Sequence, residues 1–432
     1  MTVQGVRGEQ LLSHGERFAP EPGLFARLVA PGFSKIIDRV DAGLERGTMI
    51  AHLPDGTTRQ LGGRAPGFEC EVHLHDWRGL LRLATNGSIG WYRAYEAGEW
   101  SADDLVSMFA LMGDNVRTLG NAARSSGPFK WAAIFAHWLN RNNRTGSRRN
   151  ISAHYDLGND FYAAWLDPTM NYSSARFEVD FGPQQCQQMA DPLHYAQIVK
   201  MCTVANRILP ARGGCVLEIG CGWGQLAGHL SEQLNLHVDA ISLSDQQLDY
   251  AFARNESLRG TASYADVDYA HRDYRDVSGQ YDAIVSIEMV EALGRKYWPD
   301  FMDCVARNLK PGGRAAIQYI SMADDLFETY AGTAEFIQAY IFPGGLLIKN
   351  SEFRKLAEER GLEWHNEDRF GGDYAETLRL WRERFDVAAA QGRLPEDFDD
   401  RFVRLWRYYL AYCEGGFRAG NIDVHQVTLV KS

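Results

Sequence analysis

Four short apolar runs in the second half of the chain, CVLEIG (215–220), HVDAISL (237–243), YDAIVSI (281–287) and RAAIQYI (314–320), recur with helical stretches between them. Runs this short and this uniformly apolar read as strands covered on both faces, and the helices between them supply the crossovers that parallel pairing needs. The pattern predicts an α/β fold with a doubly wound, mainly parallel, Rossmann-like sheet. The segment HQVTLVK (425–431) alternates and is expected as a late edge strand.

Upstream the rhythm changes. A helical start around Lys35–Leu44 precedes strand-like alternation at Thr48–Leu53 and Glu71–Leu74, the pattern of a small α+β unit. Residues 101–119 read as a helix, with Ser101 as N-cap and Asp103 and Asp104 in the first turn. Between 120 and 150 the composition turns to Gly, Ser, Asn and Arg around an aromatic block, FKWAAIFAHWL, and Arg141, Arg144, Arg148 and Arg149 meet no acid until Asp156. That stretch is either an exposed linker with a docked helix or a basic, aromatic face for anionic headgroups. The expected organisation is an N-terminal domain over 1–120, a basic linker over 121–150 and a second domain over 151–432.

Composition narrows the choices. With 45 basic and 56 acidic residues the net charge is -11, which argues against a nucleic-acid partner held by phosphate contacts. Seven scattered cysteines, none spaced as CxxC, suit a reducing cytosol and no metal site. The absence of a signal-like start or of roughly 18 uninterrupted apolar residues suggests a cytoplasmic protein, at most peripherally associated with the inner face of the cell membrane.

The first strand runs into Gly220-Cys221-Gly222-Trp223-Gly224, a turn that lets a ligand press on backbone N–H groups at a helix start. The spacing is GxGxG instead of the GxGxxG that cradles a pyrophosphate, and Glu218 stands in an otherwise apolar strand. A carboxylate there suits a sulfonium better than a diphosphate; the competing reading is an ordinary nicotinamide site. Ser242, Leu243 and Gln247 close the second strand and could hold a ribose, and Asp273 after the third could accept from an adenine amino group. Read singly, Ser244 is equally a helix cap and Asp273 a surface turn.

The stretch HYDLGNDFYAAWLDPTMNYSSARFE (154–178), with LEIGCGWG (217–224), SLSDQQ (242–247) and YYLAYCEGGFRAGNID (408–423), resembles the cyclopropane-fatty-acyl-phospholipid synthases and the mycolic-acid cyclopropane synthases. The likeness covers nearly all of 150–432, and the first 120 residues resemble loosely a lipid-engaging N-terminal domain. It implies a class I methyltransferase fold, S-adenosylmethionine as cofactor, and methylation of a double bond in the acyl chains of phospholipids, giving cyclopropane or methyl-branched chains. It further implies that Tyr172 and Ser173 cover the methionine part of the cofactor, that Gly220 and Gly222 approach it from below, that Ser242, Leu243 and Gln247 hold the ribose side, and that Asp273 meets the adenine. His154 and Tyr155 would sit near the mouth of the site, and Cys413 matches a family cysteine regarded as an active-site residue. A homodimer and a reductase that saturates a methylated alkene are implied partners.

An alkene is a weak nucleophile, so the sulfonium methyl must be held against it in a dry pocket, and the fate of the resulting carbocation decides the product. Family members hold bicarbonate as the base with a cysteine, a glutamate, a histidine and a tyrosine. Here the glutamate is Glu291, but the other positions read Ser174, Gln318 and Arg382, which puts bicarbonate in question. Glu288 stands where relatives have glycine. On a helix, Glu288 and Glu291 would share one side, one as general base and the other neutralised by Arg382. Tyr319, Met322, Phe327, Tyr330, Phe336, Tyr340 and Phe342 are either acyl-tunnel linings or ordinary core. Two alternatives stand beside the lipid enzyme: a small-molecule N- or C-methyltransferase, and a non-catalytic lipid-binding relative.

Overall fold

The computed structural model describes residues 30–120, 157–177, 190–210, 212–261, 266–333 and 335–432. The chain forms two compact units, and neither is one continuous stretch. The first comprises Met1–Arg141, Asp325–Gly344 and Glu396–Ile422; the second comprises Asn142–Asp324, Gly345–Pro395 and Asp423–Ser432.

In the first unit, strands β1 (Thr48–His52), β2 (Thr58–Gly62), β3 (Glu69–Leu74) and β4 (Trp100–Ala102) lie in the order β2-β1-β3-β4. β1 runs antiparallel to β2 and parallel to β3. Alternation along β3 buries Cys70, Val72 and Leu74 and leaves Glu69 and Glu71 exposed, so one face packs. Ser101 does not cap a helix. Pairing with β3 draws it into β4, and the cap of the next helix, Leu105–Asp114, is Asp104, whose side chain accepts from the Val106 N–H.

The two later segments join this unit because their aromatic faces are buried in it. Tyr92 lies 4.8 Å from Phe336, 4.6 Å from Tyr340 and 5.0 Å from Tyr408, ring centre to ring centre. Phe336 and Tyr340 are therefore core residues here, and the single domain expected over 151–432 gives up two pieces to its neighbour. Helix Asp400–Arg418 packs against Leu105–Asp114 at Gly415, where an added Cβ would come within 2.5 Å of the Phe109 Cβ.

The second unit is the expected wound sheet. Strands β5 (Cys215–Ile219), β6 (His237–Ser242), β7 (Val267–His271), β8 (Tyr281–Ile287), β9 (Leu309–Met322), β10 (Ile348–Lys349), β11 (Leu362–Arg369) and β12 (Ile422–Lys431) follow the order β11-β12-β9-β8-β5-β6-β7, with β10 on β9. β5 is parallel to both β6 and β8, and its apolar side chains are buried with those of Val238, Ala283 and Val285 under the helices Pro192–Ile208 and Gln225–Leu234. β12 is an interior strand and not the expected edge. β11 covers it in antiparallel pairing, and the polar sequence of β11, LEWHNEDR, carries no strand rhythm because most of it is solvent-facing. No helix among the described residues is long and apolar enough to cross a membrane.

The close helix crossing in the first unit gives a direct test. Gly415→Ala should destabilise the protein by about 1–3 kcal/mol through overpacking, read as a lowered midpoint in urea denaturation; an unchanged midpoint would mean that the two helices part without cost.

Candidate active site

At the end of β5 the chain turns through Gly220, Gly222 and Gly224 with φ of 83°, 53° and 77°, a region that glycine occupies freely. At Gly220 a Cβ would meet the Met289 Cγ at 2.7 Å, whereas at Gly222 nothing lies within 4 Å. The loop is packed beneath and open above. Tyr172, Ser173, Glu218, Gly220, Gly222, Ser242, Leu243, Gln247 and Asp273 all line the cavity over this loop, as the sequence reading had grouped them.

Several of these side chains are already engaged. Ser244 caps the helix Asp245–Ser257, accepting from the Gln247 N–H. Asp273 takes two hydrogen bonds from the Arg275 guanidinium, at 2.8 and 2.5 Å, which partly satisfies both carboxylate oxygens. Tyr172 is wedged among Tyr162, Trp165 and Trp381 at 5.3 to 5.6 Å between ring centres. Glu218 is different. It is 3 % exposed, and its Oε2 has no hydrogen-bond partner among the described residues. Burial pushes its carboxyl up to about 8, against the opposing pull of the Ala227 N–H and the Lys200 charge. A buried acid oxygen without a donor is a fitting partner for a cationic ligand, and S-adenosylmethionine carries both an ammonium and a sulfonium.

Lys200 was missed by the sequence reading. It stands on helix Pro192–Ile208, whose buried face also carries Leu193, Ala196, Gln197, Met201 and Val204. Two polar residues at core-facing positions of that helical period were the available signal. Gln197 Nε2 donates to the Ser173 carbonyl at 3.0 Å and Lys200 Nζ to Ser173 Oγ at 2.6 Å, so the helix grips the Tyr172–Ser174 loop from within.

The two glutamates do not share a helix. Glu288 follows β8 in a left-handed conformation, φ 48°, and Glu291 sits in the short 3₁₀ turn Val290–Ala292. Glu288 Oε1 accepts from the Ser174 N–H at 2.9 Å and from Gln318 Nε2 at 2.7 Å, and the Tyr374 side chain adds a third hydrogen bond. Burial still outweighs these bonds and the Lys200 charge, and raises the carboxyl above its ordinary value. Gln318 cannot turn away, because its Oε1 accepts from Gln426 Nε2 at 2.8 Å. Glu291 Oε1 accepts from the Ile320 N–H and Oε2 has no partner among the described residues; burial and the neighbouring Glu288 push this carboxyl up to about 8. Lys200 is a cation acting on Glu288, a role the sequence had offered to Arg382 for whichever glutamate is not the base, and Tyr374, two turns before Arg382 on the helix Gly371–Ala390, supplies a tyrosine donor.

Two further residues were expected at the site. Cys413 belongs to the helix Asp400–Arg418 of the first unit, and burial alone pushes its thiol up to about 12, which removes the thiolate needed for nucleophilic work. His154 lies outside the described residues, as does the basic linker over 121–150.

The profile of the Mycolic acid cyclopropane synthetase family matches residues 142–427. Tuberculostearic acid methyltransferase UfaA1 of Mycobacterium tuberculosis is 37% identical over 400 residues, 88% of each chain. Cyclopropane-fatty-acyl-phospholipid synthase of Escherichia coli K12 is 33% identical over 371 residues, 85% of this chain and 88% of that one. Among solved structures, mycolic acid cyclopropane synthase CmaA1 complexed with SAH and CTAB superposes with a TM-score of 0.59 at 28% identity, covering 66% of this chain and 98% of that one. The grouping of the cavity residues, the unpaired acid at Glu218 and these likenesses converge, and the chain belongs to the mycolic acid cyclopropane synthetase family of S-adenosylmethionine-dependent methyltransferases acting on fatty acyl chains.

Proposed function

We propose that this enzyme methylates a carbon-carbon double bond in the acyl chains of phospholipids, and that the Glu288 carboxylate is its built-in base. The observation that carries the reading is the cage around Glu288. Ser174 and Gln318, at the positions where relatives hold bicarbonate, instead direct their donors to a carboxylate of the protein itself.

The cofactor, when bound, supplies an electrophilic methyl group, and its transfer to one alkene carbon leaves a carbocation on the acyl chain. Glu288 then accepts the proton that the cation must lose, in a site that excludes competing water. Its raised carboxyl makes the ionised form a stronger base than an ordinary glutamate. Glu291, with one oxygen on a backbone N–H and the other without a donor among the described residues, has its carboxyl pushed up to about 8 by burial and by Glu288, which favours the neutral acid and lessens the negative charge beside Glu288. Phospholipid as substrate is favoured by the reach of the likeness, because the match to the Escherichia coli enzyme spans 85% of this chain and so extends into the first unit. The unpaired Glu218 oxygen beside an open glycine turn disfavours a non-catalytic lipid binder.

Purified protein given vesicles of mono-unsaturated phospholipid and methyl-labelled S-adenosylmethionine should place label on the acyl chains after transesterification; label on no acyl chain overturns the reading. Mild hydrogenation of the product then separates a ring, which resists it, from a methyl-branched alkene, which gains two hydrogens. Glu288→Gln should retain cofactor affinity in calorimetry while turnover falls by about 10²–10⁴-fold, the usual worth of a positioned base. Glu291→Gln, an analogue of the neutral acid, should keep most of its turnover, and its inactivity would move the base from Glu288 to Glu291. Since burial raises the Glu288 carboxyl, the base form is lost at a higher pH than for a solvated glutamate, and wild-type turnover should decline as pH falls through that raised value.

A further inference from the structure

The cavity holds one charged group that the chemistry above leaves without a task. Lys200 is enclosed on all sides, yet its ammonium has three donors and a single hydrogen-bond partner among the described residues, Ser173 Oγ at 2.6 Å. Glu218 and Glu288 line the same cavity and act on Lys200 through their charge, but neither touches it. A buried cation with spare donors and a buried acid with an orphaned oxygen, facing one space without meeting, are complementary to a ligand that carries both charges.

We infer that Lys200 receives the α-carboxylate of the cofactor's amino-acid end while the unpaired Glu218 oxygen receives its α-ammonium. The inference rests on the cofactor assignment and extends it to a residue in none of the glycine, ribose or adenine contacts. Three features support the polarity. Lys200 is bonded to Ser173 on the loop that the family resemblance assigns to the methionine part of the cofactor. An ammonium only donates, so Ser173 Oγ must accept from it, which frees the serine O–H to donate to the same carboxylate. The other cations lining the cavity, Arg272 and Arg275, flank Asp273 in sequence, and Arg275 is committed to that aspartate. Burial lowers the Lys200 ammonium to about 8, opposed by the charges of Glu288, Asp167 and Glu218, so it remains largely protonated at neutral pH.

The test separates the amino-acid end from the nucleoside end by calorimetry. Lys200→Met should bind S-adenosylhomocysteine roughly 10- to 100-fold more weakly, the range for a charged hydrogen bond, and should bind 5′-methylthioadenosine, which lacks the amino-acid end, as tightly as wild type does. Equal weakening of both ligands, or of neither, overturns the assignment. Wild type supplies a measurement that does not depend on the variant folding. It should discriminate by a similar factor against decarboxylated S-adenosylmethionine, which keeps the ammonium and lacks the carboxylate, and equal affinity for the two would sink the proposal. Wild-type affinity for S-adenosylhomocysteine itself reports on the cofactor assignment, so the two failures are distinguishable.

Discussion

The burial of charge around one cavity is the constraint on which the second unit depends. Glu218 and Lys200 are buried, and Glu288 and Glu291 are half-buried. Each ionised group taken from water without a partner costs several kcal/mol even after the surroundings relax. The fold answers each case differently. Glu288 is ringed by donors, Glu291 has its carboxyl pushed up to about 8 by burial and by Glu288, and Glu218 and Lys200 line the open cavity. The carboxyl ends of β5 and β8 and one face of the helix Pro192–Ile208 are where these four groups enter, and the parallel sheet holds those three elements in fixed register.

Glu288 bears a second cost. A side chain at φ 48° is strained by about 1–2 kcal/mol, which a glycine would not be. The strain persists because both ends of the residue are fixed, the N–H by the Gln318 carbonyl at 2.8 Å and the carboxylate by Ser174, Gln318 and Tyr374. The residue held in this conformation lines the cavity, and three donors converge on its carboxylate there.

The parallel strands were legible because burial on both faces writes them as continuous apolar runs, and the glycine turn with its preceding acid was legible because its residues are adjacent in sequence. What escaped was assembled over distance. β11 is a polar cover strand defined by its partner, β12 becomes interior only because β11 exists, and the first unit recruits two segments through aromatic faces that look like any other core. Lys200 and Tyr374 lie on helices whose function depends on which loop they face, and no local spacing records that. The pairing of Glu288 with Glu291 was read correctly as a proximity and wrongly as a helix face, because a strand end running into a 3₁₀ turn brings the same two residues together.

Replacing a histidine by Gln318 changes more than a hydrogen-bond partner. An imidazole in the cage could take up a proton near neutrality, and would then offer the base a cation instead of a neutral donor. The amide of Gln318 has one charge state, and its orientation is set by Gln426, which is in turn held by the Arg207 guanidinium at 3.2 Å. Ser174 contributes a backbone N–H and so also cannot titrate. The two donors that Ser174 and Gln318 give Glu288 are therefore constant in charge, whereas the neighbouring Glu291 and Lys200 both titrate near 8. Donors of constant charge suit a base that belongs to the protein and must be regenerated in each cycle, in contrast to an ion that is free to exchange with solvent already in its reactive form.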